Sequence, residues 1–202
     1  MRLYASPTSP FVRKVDVVLH ETGLLDRVER VPAGGTPVDP GSLPLALNPL
    51  GKIPVLGRDE GPALYDSRVI CRYLDSLASA GLYPQPPRLW DALTLEATAD
   101  GMLEAAVLMV YEVRTRPEEK RHEPWVEGQW NKIARALDAV EARWLSQLRG
   151  PLDIGQIAMG CALAYLDFRH GTRDWRKGRT GLAEWEAGFS ARPSMMATVP
   201  VA

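Results

Sequence analysis

Apolar residues change period several times along the chain. Arg2–Ala5 is short and β-like. From Pro10 the period turns helical, with Phe11, Val15, Val18 and Leu19 on one face. Pro10 suits the first helical turn and Gly23 the stop. Val28–Val31 predicts a second strand, Ile53–Leu56 a third and Ala63–Tyr65 a fourth. Between them, Pro32–Pro49 is rich in Pro and Gly and predicts a loop with at most one helical turn. Val69, Ile70, Tyr73, Leu74 and Leu77 then recur at helical spacing, with Ser67 as the expected N-cap. The order is βαβ, then ββα.

Beyond residue 88 the pattern is helical throughout. Leu89–Val113 and Trp125–Leu148 are long amphipathic segments, the second with Ile133, Leu137, Val140 and Trp144 on one face. Asp153–Phe168 is nearly apolar and predicts a helix buried on all sides, and Gly181–Ser190 predicts a shorter one. The composition changes where the period does. Twelve of the 17 prolines lie in residues 1–87, and all six tryptophans lie between Trp90 and Trp185. Pro84-Gln85-Pro86-Pro87 can continue neither a helix nor a central strand. The expected division is therefore an α/β domain over 1–83, a linker over 84–87 and an all-helical domain over 88–202.

Charge narrows the function classes. The chain has 202 residues, with 24 Lys+Arg against 25 Asp+Glu. A net charge of −1 argues against a nucleic-acid binder or a polybasic membrane-surface protein. The longest uncharged apolar run, Ile154–Leu166, is shorter than a membrane span requires. The N-terminus shows no apolar signal region, so the expected location is cytoplasmic. Cys71 and Cys161 sit in apolar-periodic stretches and are expected to be core thiols. His20, His122 and His170 have no metal-ligand spacing, so no metal is expected.

Three segments carry candidate chemistry. Ser6-Pro7-Thr8-Ser9-Pro10-Phe11 joins the first strand to the first helix. A hydroxyl there sits where free N–H groups and the helix dipole favour an anion, and it also reads as a plain N-cap. In Asn48-Pro49-Leu50-Gly51-Lys52-Ile53-Pro54-Val55-Leu56, Pro54 places the strand on an edge or in a cis turn. An edge leaves the backbone of Val55 open to an extended peptide-like ligand, with Lys52 near a carboxylate; a proline-capped edge and a solvated lysine fit the same residues. In Asp66-Ser67-Arg68, the carboxylate suits an ammonium group and the helix start suits a carboxylate, and plain capping fits too.

Taken together, in this order and spacing, these segments resemble the cytosolic glutathione transferases over essentially the whole chain. Ser9-Pro10-Phe11 with Arg13 resembles the active turn of the serine- and cysteine-type classes. Asn48-Pro49 through Leu56 is similar to the family's cis-proline segment, and Asp66-Ser67 to its acidic-residue-plus-serine pair. The resemblance implies a thioredoxin-like N-terminal domain, a helical-bundle C-terminal domain and a homodimer. It implies glutathione as co-substrate and a small hydrophobic electrophile as its acceptor, as in detoxification. By the same resemblance Ser9 donates to the glutathione sulfur and Val55 pairs with the cysteinyl unit. Asp66 and Ser67 hold the γ-glutamyl head, and Lys52 sits near the glycyl carboxylate. Ser6 and Thr8 are rivals for the role of Ser9.

Tyr111, Arg114 and Arg116 are candidates to line a second-substrate pocket, and a solvated basic helix end explains the two arginines equally. Leu152-Asp153-Ile154-Gly155-Gln156 stands where the family has a capping box, with Gln156 expected to reach back to the cap. Dithiol exchange needs cysteine where Ser9 and Val12 stand. The Ser-Ser-Cys turn of the maleylacetoacetate isomerases is absent. A non-catalytic scaffold of the same fold is the remaining alternative.

Overall fold

The computed structural model describes residues 1–200. Two compact units form, Met1–Tyr83 and Pro84–Met196, and the described residues from Ala197 onward belong to the first.

In the first unit, β1 (Arg2–Ala5) is central, with β2 (Glu29–Pro32) parallel on one side and β3 (Val55–Gly57) antiparallel on the other. Leu3, Ala5, Val55 and Leu56 are buried in this sheet. α1 (Pro10–Thr22) connects β1 to β2. It opens at Ser9, has Pro10 in its first turn and closes at Gly23, whose φ of 67° lies in the left-handed region. Val12, Val15, Val17, Val18 and Leu19 of α1 are buried, whereas Phe11 is only half-buried. The predicted fourth strand at Ala63–Tyr65 shortens to a single bridge, Leu64 exchanging both backbone bonds with Leu56 at 2.9 Å. Three residues hemmed by Gly61, Pro62 and the start of the next helix leave no room for a longer ladder. The loop predicted over Pro32–Pro49 contains a single helical turn, where the Leu47 and Asn48 amides both donate to the Pro44 carbonyl at 2.9 Å.

α2 (Ser67–Ala78) packs against α1 and buries Ile70, Cys71 and Leu74. Its N-cap is Asp66, not Ser67: the Asp66 carboxylate accepts from the Arg68 amide at 3.0 Å, and Ser67 is the first helical residue. The chain end is tied back to this unit where Arg13 Nε donates to Thr198 Oγ1 at 3.4 Å.

The second unit comprises α3 (Arg88–Thr115), α4 (Glu123–Arg143), α5 (Leu145–Leu148), α6 (Ile154–His170), α7 (Thr180–Ser190) and α8 (Pro193–Ala197). α6 is its centre, and Ile154–Leu163 is buried without interruption. A Cβ on Gly155 would lie 3.0 Å from the Ala92 carbonyl oxygen and 2.9 Å from Leu95 Cβ, so glycine lets α6 approach α3. Asp153 caps α6, accepting from the amides of Gly155 and Gln156 and from Gln147 Nε2 at 2.6 Å. The Gln156 amide does not reach back to the cap as expected. It donates instead to the carbonyls of Gln147, Gly150 and Pro151 in the turn before α6. α7 is capped from a neighbouring helix, with Glu141 of α4 accepting from the amides of Gly181 and Leu182. Cys71 and Cys161 are both buried thiols. Among the described residues no helix is long and apolar enough to cross a membrane. No cluster of three metal-ligating side chains occurs among them.

Candidate functional site

The topology of the first unit carries three of the candidate segments to one end of the sheet. β1 ends at Ala5 and runs into the Ser6–Ser9 turn. β3 begins at Val55, which is opposite Tyr4 near that same end. The Leu56–Leu64 bridge then returns the chain antiparallel, so Asp66 and Ser67 emerge beside the start of β3. Two helix N-termini, those of α1 and α2, therefore open at the end where Val55 sits.

Ser9 has extended backbone angles (φ −81°, ψ 122°), and its hydroxyl oxygen accepts from the Val12 amide at 3.4 Å. Its own N–H donates to the Ser6 carbonyl at 3.2 Å. The hydroxyl oxygen is thus used as an acceptor, and its proton points to no partner among the described residues. Ser6 Oγ and Thr8 Oγ1 instead lie 3.3 Å apart, one donating to the other. Of the three candidate hydroxyls, Ser9 is the one at the N-cap of α1, where its donor stays open.

Asp66 is half-exposed and shared. Arg68 Nη2 approaches its carboxylate at 2.8 Å, in addition to the amide bond that caps α2. Burial pushes the Asp66 carboxyl up. The Arg68 guanidinium, the Arg68 amide and the Lys14 ammonium together outweigh that and hold it below the usual carboxylate range. Ser67 is buried, and its N–H is among the donors that a helix start leaves without an intrahelical acceptor. An acidic side chain, an open amide and a guanidinium thus stand within three consecutive residues. That set matches the charges of an amino-acid head.

The structure corrects the role expected of Val55. Leu56 spends both backbone groups on Leu64, so the pleat turns those of Val55 the other way, towards Tyr4 of β1. The side of β1 facing β2 confirms the alternation, since the carbonyls of Met1 and Ala5 accept from Glu29 and Ala33 there. Val55 is fully buried and its ladder bonds are used, so its backbone is not open to a ligand. The open main chain lies two residues earlier. The N–H and C=O of Ile53 make no hydrogen bond among the described residues, and the Ile53–Pro54 peptide is cis. Pro54 itself was the available signal. A proline ends the ladder, so the residue before it is the one left unpaired.

Lys52 is exposed and forms no ion pair among the described residues. Of the second-pocket candidates, Tyr111 is half-buried on α3 and Arg114 is exposed near its end. Arg116 is committed elsewhere. Its Nε binds Glu112 at 2.7 Å, and the same carboxylate accepts from the His122 amide at 3.1 Å. Arg116 therefore helps to fasten the turn between α3 and α4 through Glu112.

Residues 8–77 match the glutathione S-transferase N-terminal domain family, and residues 123–188 match the glutathione S-transferase C-terminal domain family. A glutathione transferase family member from Pseudomonas fluorescens Pf-5, solved with bound glutathione, is 47% identical, with 100% of this chain and 99% of that chain covered and a TM-score of 0.96. A second structure of a Pf-5 family member holds S-(propanoic acid)-glutathione; it is 46% identical, with both chains covered at 100% and a TM-score of 0.92. An Escherichia coli K12 protein described as the uncharacterized GST-like protein YibF is 33% identical over 205 residues, which is 99% of this chain and 98% of that protein. The βαβ unit with its antiparallel β3, followed by a helical unit, is the thioredoxin-like and all-α pair of these structures. Matched in both halves and along its full length, the chain belongs to the glutathione S-transferase family.

Proposed function

We propose that the protein binds glutathione at the end of the β1–β3 sheet, stabilises its thiolate, and transfers it to a small hydrophobic electrophile. The observation that carries this reading is the open hydroxyl donor of Ser9 at the start of α1. A free thiol has a pKa of about 8.5, and lowering it by about two units requires about 2.7 kcal/mol. One charge-assisted hydrogen bond at a helix N-terminus supplies an interaction of that size. Ser9 then holds the sulfur as an anion and forms no covalent bond. The thiolate sulfur attacks the electrophilic carbon and a C–S bond forms. The displaced electron pair leaves with the departing group or takes a proton from water.

The remaining residues fit the tripeptide. Asp66 receives the γ-glutamyl ammonium, and the Ser67 amide with Arg68 receives the α-carboxylate. Ile53 replaces Val55 as the main-chain partner of the cysteinyl unit, and Lys52 faces the glycyl carboxylate. The S-(propanoic acid)-glutathione held by the Pf-5 relative supports a substituent on sulfur. We place the enzyme in the cytoplasm, in a detoxifying role, as a homodimer.

Calorimetric titration with glutathione, paired with the thiolate absorbance of the complex against pH, tests the reading. Binding at millimolar glutathione is expected, with a thiol pKa well below 8.5. Ser9→Ala raises that pKa by one to two units, about what one such hydrogen bond is worth, and Ser6→Ala leaves it in place. Absence of binding would favour a non-catalytic scaffold, and loss of the shift in Ser6→Ala alone would reassign the sulfur contact.

A further inference from the structure

Asn48 is a buried polar side chain in the loop that leads to Lys52, and nothing in the reaction touches it. It is 2% exposed, although it sits in a loop where Leu47 and Leu50 are exposed. Its Nδ2 donates to the Lys52 carbonyl at 2.9 Å, and its Oδ1 accepts from the Leu50 amide at 3.1 Å. Its own carbonyl accepts from the Gly51 amide at 3.1 Å, and its N–H is anchored on Pro44 O at 2.9 Å. Gly51 supplies the left-handed φ of 59° that the turn needs. Reversing the chain requires only Gly51 and the Gly51–Asn48 bond. The bond from Nδ2 does something further, since it fixes the residue carrying the one cation of this loop, immediately before the open main chain of Ile53.

We infer that Asn48 is a positioning residue that sets Lys52 for the glycyl carboxylate of glutathione, and so makes the site selective for the complete tripeptide over γ-glutamylcysteine. The inference rests on the reading of Lys52 given above. The two are separable because γ-glutamylcysteine keeps the head and the thiol and lacks only the glycine. Serine at position 48 is short and neutral. Its hydroxyl can still accept from the Leu50 amide, as in other Ser turns, but it cannot reach the Lys52 carbonyl.

The experiment is calorimetric binding of both ligands to the wild type, Asn48→Ser, Lys52→Met and the double variant. The wild type is expected to prefer glutathione by about tenfold, the size of one charge-assisted contact. Lys52→Met and Asn48→Ser each abolish most of that preference, leave γ-glutamylcysteine binding within about twofold, and are not additive when combined. Equal binding of both ligands by the wild type, or a preference that survives Lys52→Met, overturns the reading of Lys52 and this inference with it. If Lys52→Met abolishes the preference but Asn48→Ser leaves it intact, or weakens both ligands alike, only the role of Asn48 is overturned. A measurement on the unmutated protein covers the case of an unfolded variant. The Asn48 side-chain amide resonances should shift with glutathione and not with γ-glutamylcysteine, and identical shifts overturn the inference.

Discussion

Asp66 performs two tasks that a single substitution can separate. Its carboxylate caps α2 through the Arg68 amide, and under the proposed function it receives the γ-glutamyl ammonium. Asp66→Asn keeps an oxygen that can cap and removes the charge, whereas Asp66→Ala removes both. The side chains of Arg68 and Asp66 are 51% and 54% exposed, so their ion pair is largely screened and contributes less than about 1 kcal/mol. The cap contributes about 1 kcal/mol, and asparagine replaces it at little cost. Asp66→Asn is therefore expected to melt within about 2 °C of the wild type, and Asp66→Ala about 3–6 °C lower. Binding behaves differently. A hydrogen bond to a charged ammonium is worth about 1.5–3 kcal/mol, so both variants lose about 10- to 100-fold in glutathione affinity. The pH dependence has a defined sign. Arg68 and Lys14 hold the folded carboxyl below its ordinary value against the opposing effect of burial. Its contribution to stability is present above the unfolded value of about 3.9 and is lost as pH falls through the folded value. Asp66→Asn should show a shallower acid-side loss. Calorimetry with glutathione, alongside thermal melts from pH 3 to 7, measures all of this. Asp66→Asn that binds glutathione within twofold of the wild type would refute the assignment of the ammonium to this carboxylate.

Three further outcomes concern the helical unit. Gly155→Ala places a methyl group 3.0 Å from a backbone carbonyl that cannot rotate away, so a loss of about 1–3 kcal/mol is expected in denaturant melts. Asp153→Ala leaves the amides of Gly155 and Gln156 and the Gln147 side chain without their buried acceptor, which predicts about 3 kcal/mol and a melting point about 6–12 °C lower. His170 donates through Nε2 to the Ala106 carbonyl; burial, with Arg173 and Arg169 nearby, depresses its pKa despite that bond. Stability due to neutral His170 is present above the unfolded value of about 6.5 and is lost as pH falls through the lower folded value. His170→Gln keeps a donor without titrating, so its melting temperature should fall less between pH 7 and 5, and an unchanged slope would show that His170 does not contribute.

Most of the architecture was legible because it depends on local, periodic signals. Pro10 and Gly23 bound α1 as read, since one presets φ and the other accepts the left-handed turn. The uncharged run after Asp153 is the buried centre of the helical unit, as its lack of a polar face required. The start of α2 was legible as a capping site, but the cap is Asp66 and not Ser67. Serine and aspartate both cap well, and only the backbone angles at Asp66 decide between them. The fourth strand was overread, because Ala63–Tyr65 has a strand-like pattern yet little neighbouring backbone to pair with. The Arg116–Glu112 pair sits at i,i+4 spacing at the end of α3, yet only the structure shows the same carboxylate also holding the His122 amide.

By itself the sequence determined which segments form helices, where they start and stop, and which residue types could serve a thiol-bearing peptide. Those properties follow from side-chain period and from chemistry within a few residues. The tertiary structure alone decided which hydrogen-bonding groups remain open. A backbone amide is spent or free according to the strand that lies beside it. That is why Val55 is closed by Tyr4 while Ile53 stays open, and why the Ser9 hydroxyl, placed at the N-cap of α1, accepts from Val12 and keeps its donor.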